Sequence, residues 1–300
     1  MIKSVLLRLL IFLGFGLGFS QAQLCTAWSE TEIMGYLDPQ YLAEASGISQ
    51  SLDFPERFYQ VNDSARSFQV FLTDETGRVN SSFDLGIPLR DVEDSDVGNC
   101  GLANCLVLGD IGDNLRQRDT IALYLIPEQE SYASNPQFKK INLRYPDGSY
   151  DAESLAVRPD GSLYLLTKAS FNLLRTEAAR LYRLPKPIAD LQDNETLTLE
   201  YVLSLDIYVL SGVSFDFLSH LATSMDFSPD GKKLLILTYG DAFELEFERL
   251  LAGDLKVNKI VMDRSLQQEA ITYVASDAFI YTAEARADAP PVKKRRCLNP

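Results

Sequence analysis

Acidic side chains recur in short clusters beside predicted β-strands, and one cluster has the composition of a cation-binding loop. The segment Gly109-Asp-Ile-Gly-Asp-Asn114 supplies two carboxylates and one amide. Ca²⁺ takes about six to eight oxygen ligands from carboxylates, amides and carbonyls. Carboxylates next to other predicted strands extend the set to eight candidate metal ligands: Asp91, Glu93, Asp110, Asp113, Asn114, Asp151, Glu153 and Glu269.

Carboxylates that lie close together repel one another, and a hard divalent cation is the simplest compensation for that repulsion. The pattern therefore predicts a Ca²⁺ site. Two other interpretations of the same residues stay open. Each aspartate can instead cap a turn through the adjacent backbone. Alternatively, Glu93 or Glu153 acts as the general base of a hydrolase, with a metal-activated water as the nucleophile.

The scarcity of histidine limits the other chemistry that this chain can perform. Its single histidine, His220, lies in a leucine-rich segment. A His-rich zinc site is therefore disfavoured, and so are mechanisms that pair histidine with a serine or cysteine nucleophile. The sequence leaves open whether the protein is an enzyme.

Two segments share one order of a short apolar strand, a Pro-Asp-Gly turn and a second strand. The turn is Pro159-Asp-Gly161 in the first segment and Pro229-Asp-Gly231 in the second. Proline fixes φ and glycine accepts the left-handed conformation, so that this triplet predicts a β-hairpin. Less regular copies of the same unit begin near residues 44, 91 and 268.

Five copies of a mostly β unit predict an all-β fold, a β-propeller of five or six blades. Residues 186–222 are long enough to hold the strands of a sixth blade. Radial closure brings the termini together, and we expect one propeller domain over residues 23–300. The first strand of each blade lines the central channel of a propeller. The candidate ligands should therefore surround one mouth of that channel.

Residues 1–22 have the pattern of a cleaved signal peptide. Basic residues precede an apolar run at residues 9–19, and residues 20–22 offer small side chains where a signal peptidase reads them. The apolar run is too short to span a bilayer comfortably. We expect a mature chain that starts near Gln23, has no membrane span, and is secreted or periplasmic.

The four cysteines form an even set, which in an oxidising compartment indicates disulfide bonds. Cys100 and Cys105 are close enough in sequence to close a small loop, in a hairpin turn opposite the predicted acidic mouth. Cys25 and Cys297 then form the second bond, which requires a fold whose termini meet. A C-x4-C spacing differs from the C-x-x-C of thioredoxin-type redox sites.

The formal net charge of −14 bears on the choice of partner. A surface that acidic repels phosphate backbones, which argues against nucleic acid as a partner. It favours a divalent cation or a basic protein partner. We expect the protein to be a monomer.

Several stretches, taken in order, resemble an uncharacterised family of exported bacterial β-propeller proteins. The most specific stretch is residues 109–114. The others are residues 44–48, 62–64, 91–94, 151–153, 228–231, 238–241 and 269–271. The resemblance implies a propeller and an exported location. Two features depart from the family pattern: Val92 stands where an aromatic residue is expected, and the last blade is short, which suggests that the N-terminal segment completes it.

A more distant analogy connects the arrangement to calcium-dependent phytase-like and lactonase-like propellers, at the level of the fold alone. From these observations we expect an exported propeller whose acidic, calcium-binding channel mouth makes it a binding or scaffold module. The alternative is a metal-dependent hydrolase of phosphoester or lactone substrates.

Overall fold

The computed structural model describes residues 23–63, 69–172, 175–211, 217–263, 267–285 and 288–299. These residues form five small sheets arranged around a channel, which is the architecture of a five-bladed β-propeller. The predicted signal peptide, residues 1–22, lies outside the described residues.

The first strand of the chain, β1 (Glu32–Tyr36), belongs to the last blade. Blade 1 contains β2 (Ala45–Gln50), β3 (Phe58–Asn62), β4 (Gln69–Thr73) and β5 (Val79–Asp84). Blade 2 contains β6 (Val92–Asn99), β7 (Asn104–Asp110), β8 (Ile121–Pro127) and β9 (Lys139–Arg144).

Blade 3 contains β10 (Ala152–Val157) and β11 (Leu163–Thr167), followed after a small hairpin of β12 (Ser170–Asn172) and β13 (Arg175–Glu177) by β14 (Ala179–Arg183). A 3₁₀ turn (Ile188–Asp190) leads to β15 (Thr196–Thr198), and β16 (Glu200–Leu205) completes blade 3. Helix α1 (Ile207–Ser211) and a second 3₁₀ turn (Phe217–His220) follow.

Blade 4 contains β17 (Ala222–Phe227), β18 (Lys233–Thr238), β19 (Asp241–Glu246) and, after helix α2 (Phe247–Leu251), β20 (Val257–Val261). Blade 5 contains β21 (Gln268–Ala275), β22 (Ala278–Ala283) and β23 (Pro291–Arg296), with β1 as its outermost strand.

The innermost strands of the five blades, β2, β6, β10, β17 and β21, form a closed ring around the channel. Each packs against the inner strand of the next blade, and β21 packs against β2. The apolar core lies between the blades. Tyr164 of blade 3, for example, meets Phe247 of blade 4 edge to face, with ring centroids 5.0 Å apart. Burial of these inter-blade faces is what holds the inner strands in register.

The ring is closed by strands from both ends of the chain. β1 pairs antiparallel with β23, and Glu32 lies opposite Lys294. A disulfide joins Cys25 to Cys297, with their Cα atoms 5.7 Å apart. The predicted bond and the predicted meeting of the termini are both confirmed.

The described residues of the range 186–222, which are 186–211 and 217–222, do not form a sixth blade. β15 adds to blade 2 beside β9, as a parallel strand, and β16 is the outer strand of blade 3. The strands within residues 196–205 therefore complete two existing sheets, and residues 207–211 form the one-turn helix α1.

The predicted hairpin turns form where the Pro-Asp-Gly triplets stand. Gly161 and Gly231 have φ of +83° and +66°, the left-handed conformation that these positions require. In the corresponding turn of blade 2, a disulfide joins Cys100 to Cys105, as predicted. This bond lies at the turn end of the blade, and the predicted ligands lie at the other end.

Candidate functional site at the channel mouth

A β-bulge occurs at the same place in all five inner strands, directly after the first paired residue. The bulged residue has no partner in the neighbouring strand. A bulge of this kind re-aims a side chain and places consecutive residues on one side of the strand. The five bulged residues, which form one level of the channel, are Ser46, Glu93, Glu153, Thr223 and Glu269.

Two of these five positions carry hydroxyl groups, and each of those joins two blades. Ser46 donates from Oγ to the carbonyl of Val92 at 2.8 Å, and Thr223 donates from Oγ1 to the carbonyl of Gln268 at 2.9 Å. The other three positions carry glutamates. We call this level, with the acidic side chains next to it, the carboxylate mouth (Asp91, Glu93, Asp151, Glu153 and Glu269).

Glu153 has a cation as its direct partner. Lys168 donates from Nζ to Oε1 of Glu153 at 2.6 Å, and the side chain of Glu153 is only 5% exposed. Burial raises the pKa of Glu153 to about 7, although the charge of Lys168 opposes that shift. The ammonium group of Lys168 also lies 3.4 Å from the hydroxyl of Tyr239.

Glu93 lies close to two other carboxylates and is buried. Burial, with the charges of Glu153 and Asp91 nearby, raises the pKa of Glu93 well above its ordinary value. Burial, together with the charge of Asp151, raises the pKa of Asp91, whose Oδ2 lies beside Gly112 as Oε1 of Glu93 does. These groups therefore lie in a site that favours added positive charge.

Glu269 completes the acidic level from blade 5. Burial, with the charge of Glu153, raises the pKa of Glu269 well above its ordinary value, although Lys168 and the hydroxyl of Tyr239 oppose that shift. The charge of Lys168 lowers the pKa of Glu269 and also that of Glu93, so that this one lysine acts on all three glutamates.

The glycine-containing segment of residues 109–114 lies beside the mouth, but its own side chains have other partners. Asp110 forms an ion pair with Arg118, with Oδ1 and Nη1 2.8 Å apart, and also accepts from the backbone N–H of Asp91 at 3.2 Å. Asp113 caps a turn by accepting from the backbone N–H groups of Gln117 and Arg118, at 2.9 and 2.7 Å.

Asp151 connects this segment to blade 3, because its Oδ1 accepts from the backbone N–H of Asp113 at 2.7 Å. Asn114 is exposed to solvent. The eight predicted ligands therefore divide into two groups. Asp91, Glu93, Asp151, Glu153 and Glu269 surround the channel mouth, whereas Asp110, Asp113 and Asn114 belong to the adjacent loop.

The glycines of that segment provide space, and neither has the positive φ that only glycine adopts easily. A Cβ on Gly112 would lie 2.3 Å from Oε1 of Glu93 and 2.5 Å from Oδ2 of Asp91. A Cβ on Gly109 would lie 2.5 Å from Cδ2 of Leu155. Gly112 thus allows two carboxylates to approach the backbone, and Gly109 allows blade 3 to pack on blade 2.

In the described ranges, no three histidine, cysteine, aspartate or glutamate side chains converge in an arrangement that would hold a metal ion. What the mouth offers is a set of buried, mutually repelling carboxyl groups with one lysine among them. Such a set can bind a cation after side-chain rotation, and it can exchange protons near neutral pH.

Three buried aspartates of the channel were not among the predicted ligands. They are Asp94, Asp96 and Asp226, and each accepts a backbone N–H from the next blade: Leu155, Val157 and Tyr273 respectively, at 3.0, 2.6 and 2.6 Å. They satisfy N–H groups along the inner edge of the ring, which no neighbouring strand pairs. The run Glu93-Asp-Ser-Asp96, with three acidic residues in four positions, is the sequence signal that could have identified Asp94 and Asp96.

The described part of the chain contains no helix long and apolar enough to cross a bilayer. Both disulfides fit a protein of an oxidising compartment.

Comparisons with known proteins assign no family and no activity to the chain. No family model and no curated protein matches the chain. Solved structures that resemble it include an aldose sugar dehydrogenase from Streptomyces coelicolor in its PQQ-bound form, with 8% identity and a TM-score of 0.44, over 90% of this chain and 98% of that one.

A gluconolactonase from Xanthomonas campestris has 11% identity and a TM-score of 0.44, over 85% of this chain and 72% of that one. A chain of a nidogen/laminin complex has 15% identity and the same TM-score, over 80% and 73%. Likeness at this level carries no argument about activity. Beyond the propeller fold, the resemblance to an exported bacterial family stays a prediction.

Proposed function

We propose that this protein is an exported binding module whose carboxylate mouth takes a divalent cation, with Ca²⁺ as the first candidate. The observation that carries the proposal is the repeated bulge, which directs Glu93, Glu153 and Glu269 to one level of the channel. A bound cation with an unfilled coordination position would then bind an anionic group of a partner.

The electrostatics of the mouth support a cation in preference to an anion. Glu93 and Glu269 are 8% and 6% exposed, and their pKa values are raised because burial and neighbouring carboxylates disfavour their charged forms. A divalent ion would remove that repulsion and would stabilise the folded state by mass action. Glu93, Glu153 and Glu269 would supply ligands from the bulges, and Asp91 and Asp151 from the strand entries.

The direct test is the thermal stability of the purified chain after removal of metals with a chelator. Addition of Ca²⁺ to 100 times its dissociation constant is expected to stabilise the fold by about 2.7 kcal/mol. Parallel melts with Mg²⁺ and with a matched concentration of NaCl are the controls, and they distinguish specific binding of Ca²⁺ from a general screening of charge by salt. No rise in melting temperature with millimolar Ca²⁺ would overturn the proposal.

A charge-removing variant gives the test a second readout of opposite sign. Glu93→Gln relieves repulsion, so that the metal-free variant is expected to melt above the metal-free wild type, and its response to Ca²⁺ is expected to shrink. Glu130→Gln, on an exposed loop, is the matched control and should change neither quantity. Equal responses to Ca²⁺ in Glu93→Gln and wild type would contradict a site at this mouth.

A second candidate function is a metal-dependent hydrolase of phosphoester or lactone substrates. The observation that favours it is Glu153, whose pKa of about 7 suits a general base at neutral pH. Lys168 beside it would attract an anionic group of the substrate.

This second candidate is tested with chromogenic phosphodiesters and simple lactones, in the presence of Ca²⁺ or Mg²⁺. Turnover that falls at least about 100-fold in Glu153→Gln, with cation binding retained, would support it, because a general base contributes at least that much. Background rates in the wild type would leave the non-catalytic module as the function.

A further inference from the structure

Lys168 places a positive charge inside the carboxylate mouth. Its Nζ lies 2.6 Å from Oε1 of Glu153, and the side chain of Lys168 is 19% exposed. The same charge acts on Glu93 and Glu269, which blades 2 and 5 contribute to the bulge level. The mouth therefore already holds a cation, and that cation is part of the chain.

The backbone of Lys168 is fixed, whereas its side chain can rotate. Lys168 directly follows β11, and its backbone N–H donates to the carbonyl of Asp151 at 2.8 Å. That bond continues the pairing of β10 with β11 in blade 3. The ammonium group lies at the end of a flexible four-carbon stem. Movement of the charge therefore needs rotation of one side chain and leaves the strands in place.

Tyr239, which follows β18 in blade 4, provides a second position for the ammonium group. The hydroxyl of Tyr239 lies 3.4 Å from Nζ of Lys168, and Nζ lies 5.4 Å from the centroid of the ring. A phenol hydroxyl accepts a hydrogen bond from an ammonium group, and the face of the ring attracts a cation. Lys168 can therefore release Glu153 and still keep a partner.

The charge of an entering ion decides whether it can take the place of the ammonium group. A monovalent cation offers the carboxyl groups no more charge than Lys168 does. The ammonium group is also tethered, which gives it an effective concentration on the order of millimolar or more. A divalent ion brings a larger charge to the same oxygens and gains more from each carboxylate. Lys168 therefore competes well with monovalent cations and poorly with divalent ones.

Lys168 and a divalent ion cannot both bind Oε1 of Glu153 at low cost. Ca²⁺ lies about 2.3 to 2.6 Å from its oxygen ligands. Because Nζ is 2.6 Å from the same oxygen, the two cations would be no more than about 5 Å apart. Two positive charges at that distance repel strongly in a buried site. Binding of the ion to Glu153 therefore favours displacement of the ammonium group.

We propose that Lys168 determines the cation specificity of the carboxylate mouth. Its ammonium group occupies Glu153, excludes monovalent cations and small amines, and is displaced onto Tyr239 by a divalent ion. The displacement rests on the proposed function, since it needs a divalent ion that binds the mouth. The occupancy of the mouth by the lysine does not depend on that function.

Displacement is tested in the wild-type chain by acetylation of its amines at pH 8, followed by mass spectrometry. Saturating Ca²⁺ is expected to raise the acetylation rate of Lys168 about ten-fold, because the amine loses a charge-assisted hydrogen bond to Glu153. Lys186, which pairs with Glu195 at 2.8 Å, is the control and should react at an unchanged rate. An unchanged or lower rate at Lys168 with Ca²⁺ bound would overturn the displacement.

Occupancy is tested by replacement of the tethered cation with a free one. Lys168→Ala removes three carbons and the ammonium group, which n-propylammonium restores as a separate molecule. The melting temperature of the variant is expected to rise with n-propylammonium, and that of the wild type is not. Tetramethylammonium, which has no N–H, controls for ionic strength. No response of the variant up to tens of millimolar, or an equal response of both chains, would contradict the occupancy.

Calorimetry with Ca²⁺ measures the competition directly. Lys168→Ala should bind Ca²⁺ at least about ten-fold more tightly than the wild type, because no ammonium group has to leave Glu153. Lys168→Arg keeps a tethered cation and should show no such gain, and Lys186→Ala is the matched control. If Lys168→Ala fails to fold, Tyr239→Phe gives a second measurement. It removes the hydroxyl that receives the displaced ammonium group and should weaken Ca²⁺ binding; unchanged affinity would contradict that role.

The outcomes distinguish this inference from the calcium proposal. Equal Ca²⁺ affinity of the wild type and Lys168→Ala would leave the calcium site standing and overturn the role of Lys168. Absence of Ca²⁺ binding in both chains would overturn the calcium proposal and the displacement together. Rescue of Lys168→Ala by n-propylammonium would in that case still assign the mouth as a cation site that the lysine occupies.

Discussion

The Nζ of Lys168 lies 2.6 Å from Oε1 of Glu153, within the carboxylate mouth. Among the described residues, no other lysine is within ion-pair distance of Glu93, Glu153 or Glu269. Both side chains are largely buried, at 19% and 5% exposure. Removal of one partner from such a pair leaves an uncompensated charge, which costs far more than the loss of a surface pair.

Lys168→Met is therefore expected to lower the free energy of unfolding by about 3 kcal/mol at pH 8. The loss should be smaller at pH 5, since protonation of Glu153 then removes the unpaired charge. Urea unfolding at both pH values measures this difference. Lys186→Met, which breaks a more exposed pair with Glu195, is the control and should cost less than about 1 kcal/mol.

The stability of the protein should fall as the pH rises from about 4.5 to about 7.5. Burial raises the folded-state pKa of Glu153 and of Asp226 to about 7, above their ordinary values of 4.5 and 3.8. In this window the folded state holds protons that the unfolded state has released, so that each pH increase favours unfolding.

One such group, shifted from 4.5 to about 7, accounts for about 3 kcal/mol over the window. Glu153→Gln should therefore flatten the pH profile measured by urea unfolding. A profile that rises with pH between 5 and 7 would contradict the assignment. Saturating Ca²⁺ should also flatten the profile if the mouth binds it.

Substitutions at Gly112 and Gly109 test two features separately: the shape of the carboxylate mouth and the packing of the blades. Gly112→Ala moves the ends of Glu93 and Asp91, which are flexible, so that it should cost less than about 1 kcal/mol while weakening the response to Ca²⁺. Gly109→Ala meets Leu155 in the core and should cost about 1 to 3 kcal/mol without changing that response. Thermal melts with and without Ca²⁺ measure both effects, and identical behaviour of the two variants would refute this distinction.

The two disulfides should contribute unequally to stability. Cys25–Cys297 spans 272 positions of sequence and Cys100–Cys105 spans 5. Because the entropy lost by the unfolded chain grows with loop length, the double serine variant of the first pair should lose up to about 5 kcal/mol, and that of the second about 2 kcal/mol. Urea midpoints of the two variants measure the difference, and a greater loss at the short loop would contradict the loop-length argument.

The hairpins and the propeller could be predicted because they rest on local rules. Pro-Asp-Gly at residues 159–161 and 229–231 determines a turn by its own backbone preferences, and the flanking apolar runs need no distant partner to be recognised. The meeting of Cys25 and Cys297 followed from radial closure. The number of blades could not be predicted in the same way. Residues 196–198 form a strand that pairs in parallel with β9 of blade 2, and this contact with a distant segment determines the sheet to which the strand belongs.

The candidate site was predicted in its location and only partly in its members. Whether Asp110 can act as a metal ligand depends on Arg118, which forms an ion pair with it from the loop that follows β7. The spacing of residues in the sequence does not encode the geometry of that loop. A strand of period two would place Glu93 and Asp94 on opposite faces. The bulge places both on the channel side, and bulges have no reliable sequence signal.

The closing blade also sets the order of events during synthesis. β1 precedes the other described strands in the chain, and β23, its strand partner among the described residues, follows all of them. Until β23 has been made, β1 has a free edge and blade 5 has only β21 and β22 paired. The ring therefore cannot close before β23 emerges, and a chain that stops short of residue 297 lacks the thiol that pairs with Cys25. Synthesis through residue 297 is thus the step that distinguishes a closed propeller from an open and aggregation-prone one.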